Sequence, residues 1–259
     1  MEAISSSDII KDMWGYTTYN KPLLLIIMVL LFVFCLFIQT FDEMRASYAL
    51  LLSSVLYIFV TGYGMTITKD VINGGKGLPE ILIKDVVVLG IKTTFVAFVY
   101  LFVQGLLFAI ISVIFHFPII DFEDLLFDFF ENVPLLFHHN LVDTFIFIVI
   151  VCLVFYFTMF FIEIALAILA DTGSILDAFN LRNIKKTIDV IGWGLYAKHY
   201  TVIILLLVFF SLLIEIDTPI FVLECISKVF LIFAFFITQY WSIGAIYRIF
   251  KRKQSNNLH

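Results

Sequence analysis

The chain has 259 residues, of which 62% are hydrophobic and 14% charged, against about 25% charged in ordinary soluble domains. A mean hydropathy of +1.07 leaves too little polar sequence to cover a soluble domain, and enough apolar sequence for several membrane spans of about 20 residues each. Net charge is −5, and nothing in the sequence suggests a nucleic-acid partner.

Residues 1–22 read as a polar N-terminal segment, with Asp8 and Asp12 ahead of Pro22. The apolar run that follows ends in Phe37-Ile38-Gln39-Thr40-Phe41. That is too bulky for a signal-peptidase site, so the run is expected to stay as an anchor. The first span is Leu23 to Ile38, and Pro22 is tolerated at its start because its missing N–H costs nothing there. A short link with Asp42, Glu43 and Arg45 leads to a second span, Ser47 to Ile67. Asn73-Gly74-Gly75-Lys76-Gly77 is a turn signal.

From Val86 to Phe117 the sequence is almost wholly apolar. At 1.5 Å per residue this run is about 48 Å long, more than a hydrocarbon core of about 30 Å needs. It therefore divides into a surface helix from Pro79 to Ile91 and a third span from Thr93 to Phe115. Residues 119–133 place Asp121, Asp124, Asp128 and Glu131 opposite Phe122, Leu125, Phe129 and Val133. That pattern predicts an acidic amphipathic helix in the interface plane.

A fourth span, Thr144 to Ala170, carries Glu163. Asp171-Thr172-Gly173 ends it, and Ser174-Ile175-Leu176-Asp177 reads as a capping box. The third surface helix sets Leu181, Ile184, Ile188 and Ile191 against Arg182, Lys185, Lys186 and Asp189. Gly192 breaks it. Spans five and six run from Tyr200 to Ile214 and from Ile220 to Ile246, and 247–259 is a basic tail. The expected fold is all-α: a polytopic membrane helical bundle of six transmembrane helices and three interfacial amphipathic helices. Its membrane domain spans 23–246.

Charge fixes an expected orientation. Fourteen of the 16 Lys and Arg residues fall on one side of this arrangement, with Arg45 opposite and Lys228 inside span six. The positive-inside rule places the fourteen, and both chain ends, in the cytoplasm of a cell-membrane protein. Spans two and four each lead through a Gly turn and a surface helix into an outward span, an echo that suggests a duplicated unit.

Few residues invite chemistry. Glu163 lies about 10 Å inside span four by helix rise. An acid in that position is either functional or a protonated or hydrogen-bonded tie between helices. Glu224 and Lys228 form an i, i+4 pair, read as mutual neutralisation or as an ion or headgroup site. Gln104 and Gln239 sit mid-span and suit hydrogen bonding across helices. Arg182, Lys185 and Lys186 face anionic headgroups or a docking partner. His116, His138 and His139 flank the acidic helix, but their spacing matches no metal site. Cys35, Cys152 and Cys225 form no CxxC pair and read as small buried hydrophobes.

Gly74-Gly75-Lys76-Gly77 lacks the Walker spacing. The sequence has no HExxH, no GxSxG and no Asp pair within apolar spans. No catalytic residue, metal site or cofactor is expected, and the chain is read as a non-enzyme. The partners expected are the lipid bilayer and a membrane protein or a second copy of the chain. A transport-related or permease-like protein, a non-catalytic scaffold or assembly subunit, and an intramembrane enzyme are the function classes carried forward.

Gly74 to Tyr100, with Leu78-Pro79-Glu80, Gly90-Ile91-Lys92 and Tyr100, resembles a prokaryotic, largely archaeal membrane family, domain of unknown function 4013. Ala170-Asp171-Thr172-Gly173-Ser174, with Ala178-Phe179-Asn180-Leu181 and Ile184, is similar to that family's second landmark. The resemblance covers most of residues 45–245. Ile81 stands where the family usually has an aromatic, and Lys69 where it often has Arg. The resemblance implies a multipass helical membrane protein of archaeal origin, and supplies neither an activity nor site residues.

Overall fold

The computed structural model describes residues 6–40, 46–115, 141–214, 216 and 221–256. Among them every regular element is a helix: α1 Ser6–Tyr19, α2 Lys21–Thr40, α3 Ala46–Ile72, α4 Ile83–Phe115, α5 Leu141–Thr172, α6 Ile175–Phe179, α7 Leu181–Ile191, α8 Trp193–Ile214 and α9 Phe221–Asn256. Five stretches are long and apolar enough to cross a membrane: 54–72 of α3, all of α4, 145–172 of α5, all of α8, and 223–256 of α9. α2, also 20 residues long, coincides with the first expected span. The helices expose large apolar side chains such as Phe98, Phe102, Phe145 and Leu205. Water would penalise such surfaces, whereas hydrocarbon matches them.

Three features of the helices depart from those the sequence predicts. No separate surface helix occupies 79–91. The chain has no regular structure from Gly75 to Leu82, and α4 then runs unbroken for 33 residues, about 50 Å by helix rise. No breaker interrupts it, because Gly90 is a packing notch rather than a stop. The third surface element is two helices, divided at Asn180. Asn180 Oδ1 accepts the Arg182 and Asn183 N–H groups at 3.0 and 3.4 Å and so caps α7. Within α7, Leu181 is exposed, and Thr187 joins Ile184, Ile188 and Ile191 on the buried face. In addition, α1 forms a helix within the segment read only as polar. The acidic helix at 119–133 and the three histidines beside it lie outside the described residues.

The chain divides into two compact units. One comprises residues 1–94 and 164–259, the other residues 95–163. In the first, α9 is the central element and packs against α1, α2, α3, α7 and α8. Small residues let the backbones approach. A Cβ at Gly62 would strike the backbone carbonyl of Val86, and one at Gly90 would strike that of Ile58. This reciprocal notch seats α3 on the first turns of α4. Where α3 crosses α9, Thr68 Oγ1 donates to the Tyr240 carbonyl at 2.9 Å, and a Cβ at Gly244 would lie 2.8 Å from the Thr68 carbonyl. In hydrocarbon the hydrophobic effect offers little to hold helices together, so such close packing and hydrogen bonds carry the association.

The turn after α3 contains Gly74 (φ 87°), and Gly173 (φ 69°) follows the last residue of α5. Both sit in the left-handed region that favours glycine and closes helix C-termini. The suggested duplication thus has matching helix stops. The connections that follow differ: irregular chain after Gly74, and α6 with α7 after Gly173.

In the second unit, Phe108 of α4 packs with Phe147 and Val151 of α5, and Ile111, Phe115 and Phe155 lie against them. Phe115 and Phe147 meet edge-on at 6.1 Å, a favoured aromatic geometry.

Candidate functional site

Two polar side chains of the second unit, Gln104 and Glu163, are buried. Val96, Gln104, Phe108 and Ser112 are buried along one stripe of α4, the spacing that keeps residues on one helix face. Gln104 is fully buried, and neither its Nε2 nor its Oε1 has a hydrogen-bond partner among the described residues. On α5, every residue from Ile162 to Ala170 is buried. Glu163 lies in this stretch, 8% exposed, and its Oε2 is likewise unpartnered among the described residues. A buried polar atom without a partner is costly and calls for an explanation. An acid tying helices together would show the bond that ties them. An enclosed carboxylate oxygen with free acceptor capacity suits a proton, a cation or an amine.

Of the other intramembrane candidates, Glu224 and Lys228 lie together on one helix. Lys228 Nζ lies 2.7 Å from Glu224 Oε1, the i, i+4 neutralisation that the spacing predicts. Gln239 is half-buried. Cys225 is buried as expected, but Cys152 is exposed. Among the described residues, no cluster of three or more His, Cys, Asp or Glu side chains is arranged to hold a metal ion.

The basic residues of α7 point outward, and Arg182, Lys185 and Lys186 are all exposed. Lys185 is committed to Asp189 at 2.9 Å, and Trp193 Nε1 donates to the same carboxylate at 2.8 Å. These hydrogen bonds, from Lys185 and then Trp193, hold the Asp189 carboxyl below the usual carboxylate range.

The structure also gathers cations that the sequence scatters. Lys92 Nζ donates to the Gly173 carbonyl at 2.6 Å, just beyond the C-terminus of α5. Lys251 pairs with Asp171 at the same helix end. Lys253 donates to the carbonyls of Val190 and Ile191, at 3.2 and 2.8 Å. Cations there satisfy orphan carbonyls and complement the helix dipole. Tyr16 donates to Asp70 Oδ2 at 2.9 Å. Burial, and then the Asp70 charge, push the Tyr16 hydroxyl well above the usual phenol range. Lys251 and Asp171 are 80 positions apart, so no local spacing announces such a pair. Their side chains are 39% and 18% exposed, so solvent screens them in part. A double-mutant cycle with Lys251→Gln and Asp171→Asn is expected to return a coupling on the order of 1 kcal/mol, measured by unfolding in mixed micelles.

A family profile described as "Protein of unknown function (DUF4013)" matches residues 46–217. The chain belongs to the DUF4013 family. The match takes in α3 to α8, including the Gly62–Gly90 notch, Gln104, Glu163 and α7 of this DUF4013 protein. It ends before α9, the helix that organises the first unit. No curated protein and no solved structure matches the chain.

Proposed function

We propose that this DUF4013 protein is a transport-related, permease-like, multi-pass protein of an archaeal cell membrane, with Glu163 as the acid that binds a solute or coupling cation. The observation that carries the reading is the enclosed Glu163 carboxylate oxygen without a hydrogen-bond partner. Gln104, buried with both amide ends unpartnered, supplies a second polar group of the kind a solute passage needs. Both chain ends are assigned to the cytoplasm. The sequence bias of fourteen cations supports this, as do the contacts that draw Lys92, Lys251 and Lys253 to the helix ends near Asp171 and Ile191. The protein is read as non-catalytic and without a cofactor.

The test compares intracellular solute pools in cells carrying the wild-type protein, Glu163→Gln, or no copy of the gene. Glu163→Gln is expected to reproduce the solute change of the deletion at an unchanged membrane level. Wild-type pools in Glu163→Gln cells, beside altered pools in the deletion, sink the assignment.

A second reading, a membrane scaffold or assembly subunit, rests on the outer face of α7. There Arg182 and Lys186 make no salt bridge among the described residues and remain available to a partner or to anionic headgroups. If α7 docks a protein, reversing Lys185 and Lys186 to Glu releases that protein from affinity-purified membranes while the chain stays inserted. Unchanged co-purification counts against docking.

A further inference from the structure

The basic end of α9 divides its charges between two tasks. Lys251 and Lys253 are spent on Asp171 and on the α7 carbonyls. Arg248 and Arg252, one turn apart on the same helix, form no salt bridge among the described residues. Like charges at i, i+4 repel, so this pair is left with an electrostatic deficit. Together they line a cavity of about 530 Å³ with Lys11 of α1 and Lys76 of the turn after α3. Gly74 and Gly75 fix that turn: the Gly75 N–H donates to the Asp70 carbonyl at 2.9 Å. Asp12 is the acid among the lining residues, and its charge acts on Arg248. Among the lining residues one carboxylate stands against four cations, while Asp70, beside Gly75, accepts the Tyr16 hydroxyl.

The cavity has an apolar continuation. A second cavity of about 290 Å³ shares His199, Ile203, Trp241 and Ser242 with the first. From there it follows α8 past Val202, Leu205 and Leu206 to Phe209. His199 to Phe209 covers about 15 Å by helix rise, half of a hydrocarbon core of about 30 Å and so the depth of one leaflet. A free inorganic anion has no use for this groove, and an uncharged lipid has no use for the cations.

We propose that the cleft between α1, the turn after α3, α8 and α9 binds one anionic membrane amphiphile. Its phosphate- or carboxylate-bearing head is held by Lys11, Lys76, Arg248 and Arg252, and its chain lies along α8 from Val202 to Phe209. This site is separate from Glu163 and stands whether or not the protein moves a solute.

The test is native mass spectrometry of the full chain released from nanodiscs of phosphatidylcholine with a minority of phosphatidylglycerol. The wild-type chain is expected to retain one phosphatidylglycerol in preference to phosphatidylcholine, and excess inorganic phosphate is expected not to displace it. Arg248→Gln with Arg252→Gln lowers retention about thirtyfold, from about 1 kcal/mol per cation near a membrane surface. Lys11→Gln with Lys76→Gln, two exposed side chains whose loss leaves the fold intact, reproduces the effect and decides the matter should the arginine variant misfold. Leu206→Trp, which fills the groove, also releases the lipid. Equal retention of the two lipids, or full retention in the folded charge variants, overturns the proposal. Displacement by phosphate with full retention in Leu206→Trp reveals a free-anion site and overturns the lipid assignment. A lipid-free dimer abolished by the charge variants gives the cleft to a second copy and also overturns it.

Discussion

Gly90→Ala destabilises the protein by about 3 kcal/mol or more, although alanine normally stabilises a helix interior by about 0.5–1 kcal/mol relative to glycine. The sign reverses because the added Cβ meets the Ile58 carbonyl of α3. Overpacking usually costs about 1–3 kcal/mol, the lower end applying where side chains can turn aside. A backbone carbonyl within a helix has no such freedom. Gly62→Ala meets the Val86 carbonyl from the other side of the same notch and is expected to cost as much. The two substitutions together cost less than their sum, because one separation of α3 from α4 relieves both clashes. Gly15→Ala in α1 is the control: a Cβ there meets nothing within 4 Å, so that variant gains the ordinary helix increment. Reversible unfolding in mixed micelles measures all four variants. A stabilised Gly90→Ala protein refutes the notch.

Glu163→Leu is expected to raise stability by about 1–3 kcal/mol while removing the solute phenotype. Buried polar groups behave asymmetrically. One that is paired is lost at a cost, whereas one without a partner carries a desolvation penalty that an apolar residue of similar volume removes. Glu163 is 8% exposed and lacks a partner for Oε2 among the described residues. Gln104→Leu gains stability for the same reason. Retaining such groups at the expense of stability is a mark of function rather than architecture. A Glu163→Leu protein less stable than wild type identifies Glu163 as a helix tie and removes the functional argument.

The helices were legible in the sequence because hydropathy and helix length are nearly sufficient in a membrane chain. Gly173, Gly192 and the Ser174 cap end or begin helices where the residue types indicate. Less legible was how far the helices overrun a bilayer. Reasoning from a core of about 30 Å divided α4 in two, whereas the helix continues through Lys84 and Asp85 and buries Gly90 against α3. In the same way α9 carries the basic tail as helix to Asn256. Glu163 and Gln104 stood out as polar residues in apolar runs, yet whether they were tied or free depended on neighbours distant in sequence. The pairings of Lys92 with Gly173 and of Lys251 with Asp171 link positions about 80 apart, and no periodicity encodes them. Arg248 and Arg252 read as part of a basic tail. Only the three-dimensional arrangement separates them from Lys251 and Lys253, which already have partners.

The central claim is that Glu163 binds a transported solute or cation rather than fastening helices. Native mass spectrometry of wild-type and Glu163→Gln protein, extracted in lipid nanodiscs from the cells that make it, tests this most directly. The wild-type chain is expected to lack a stoichiometric protein partner and to carry a small molecule or cation that Glu163→Gln loses. A stoichiometric protein partner retained by both forms, with no small molecule on either, contradicts it and makes the protein an assembly subunit.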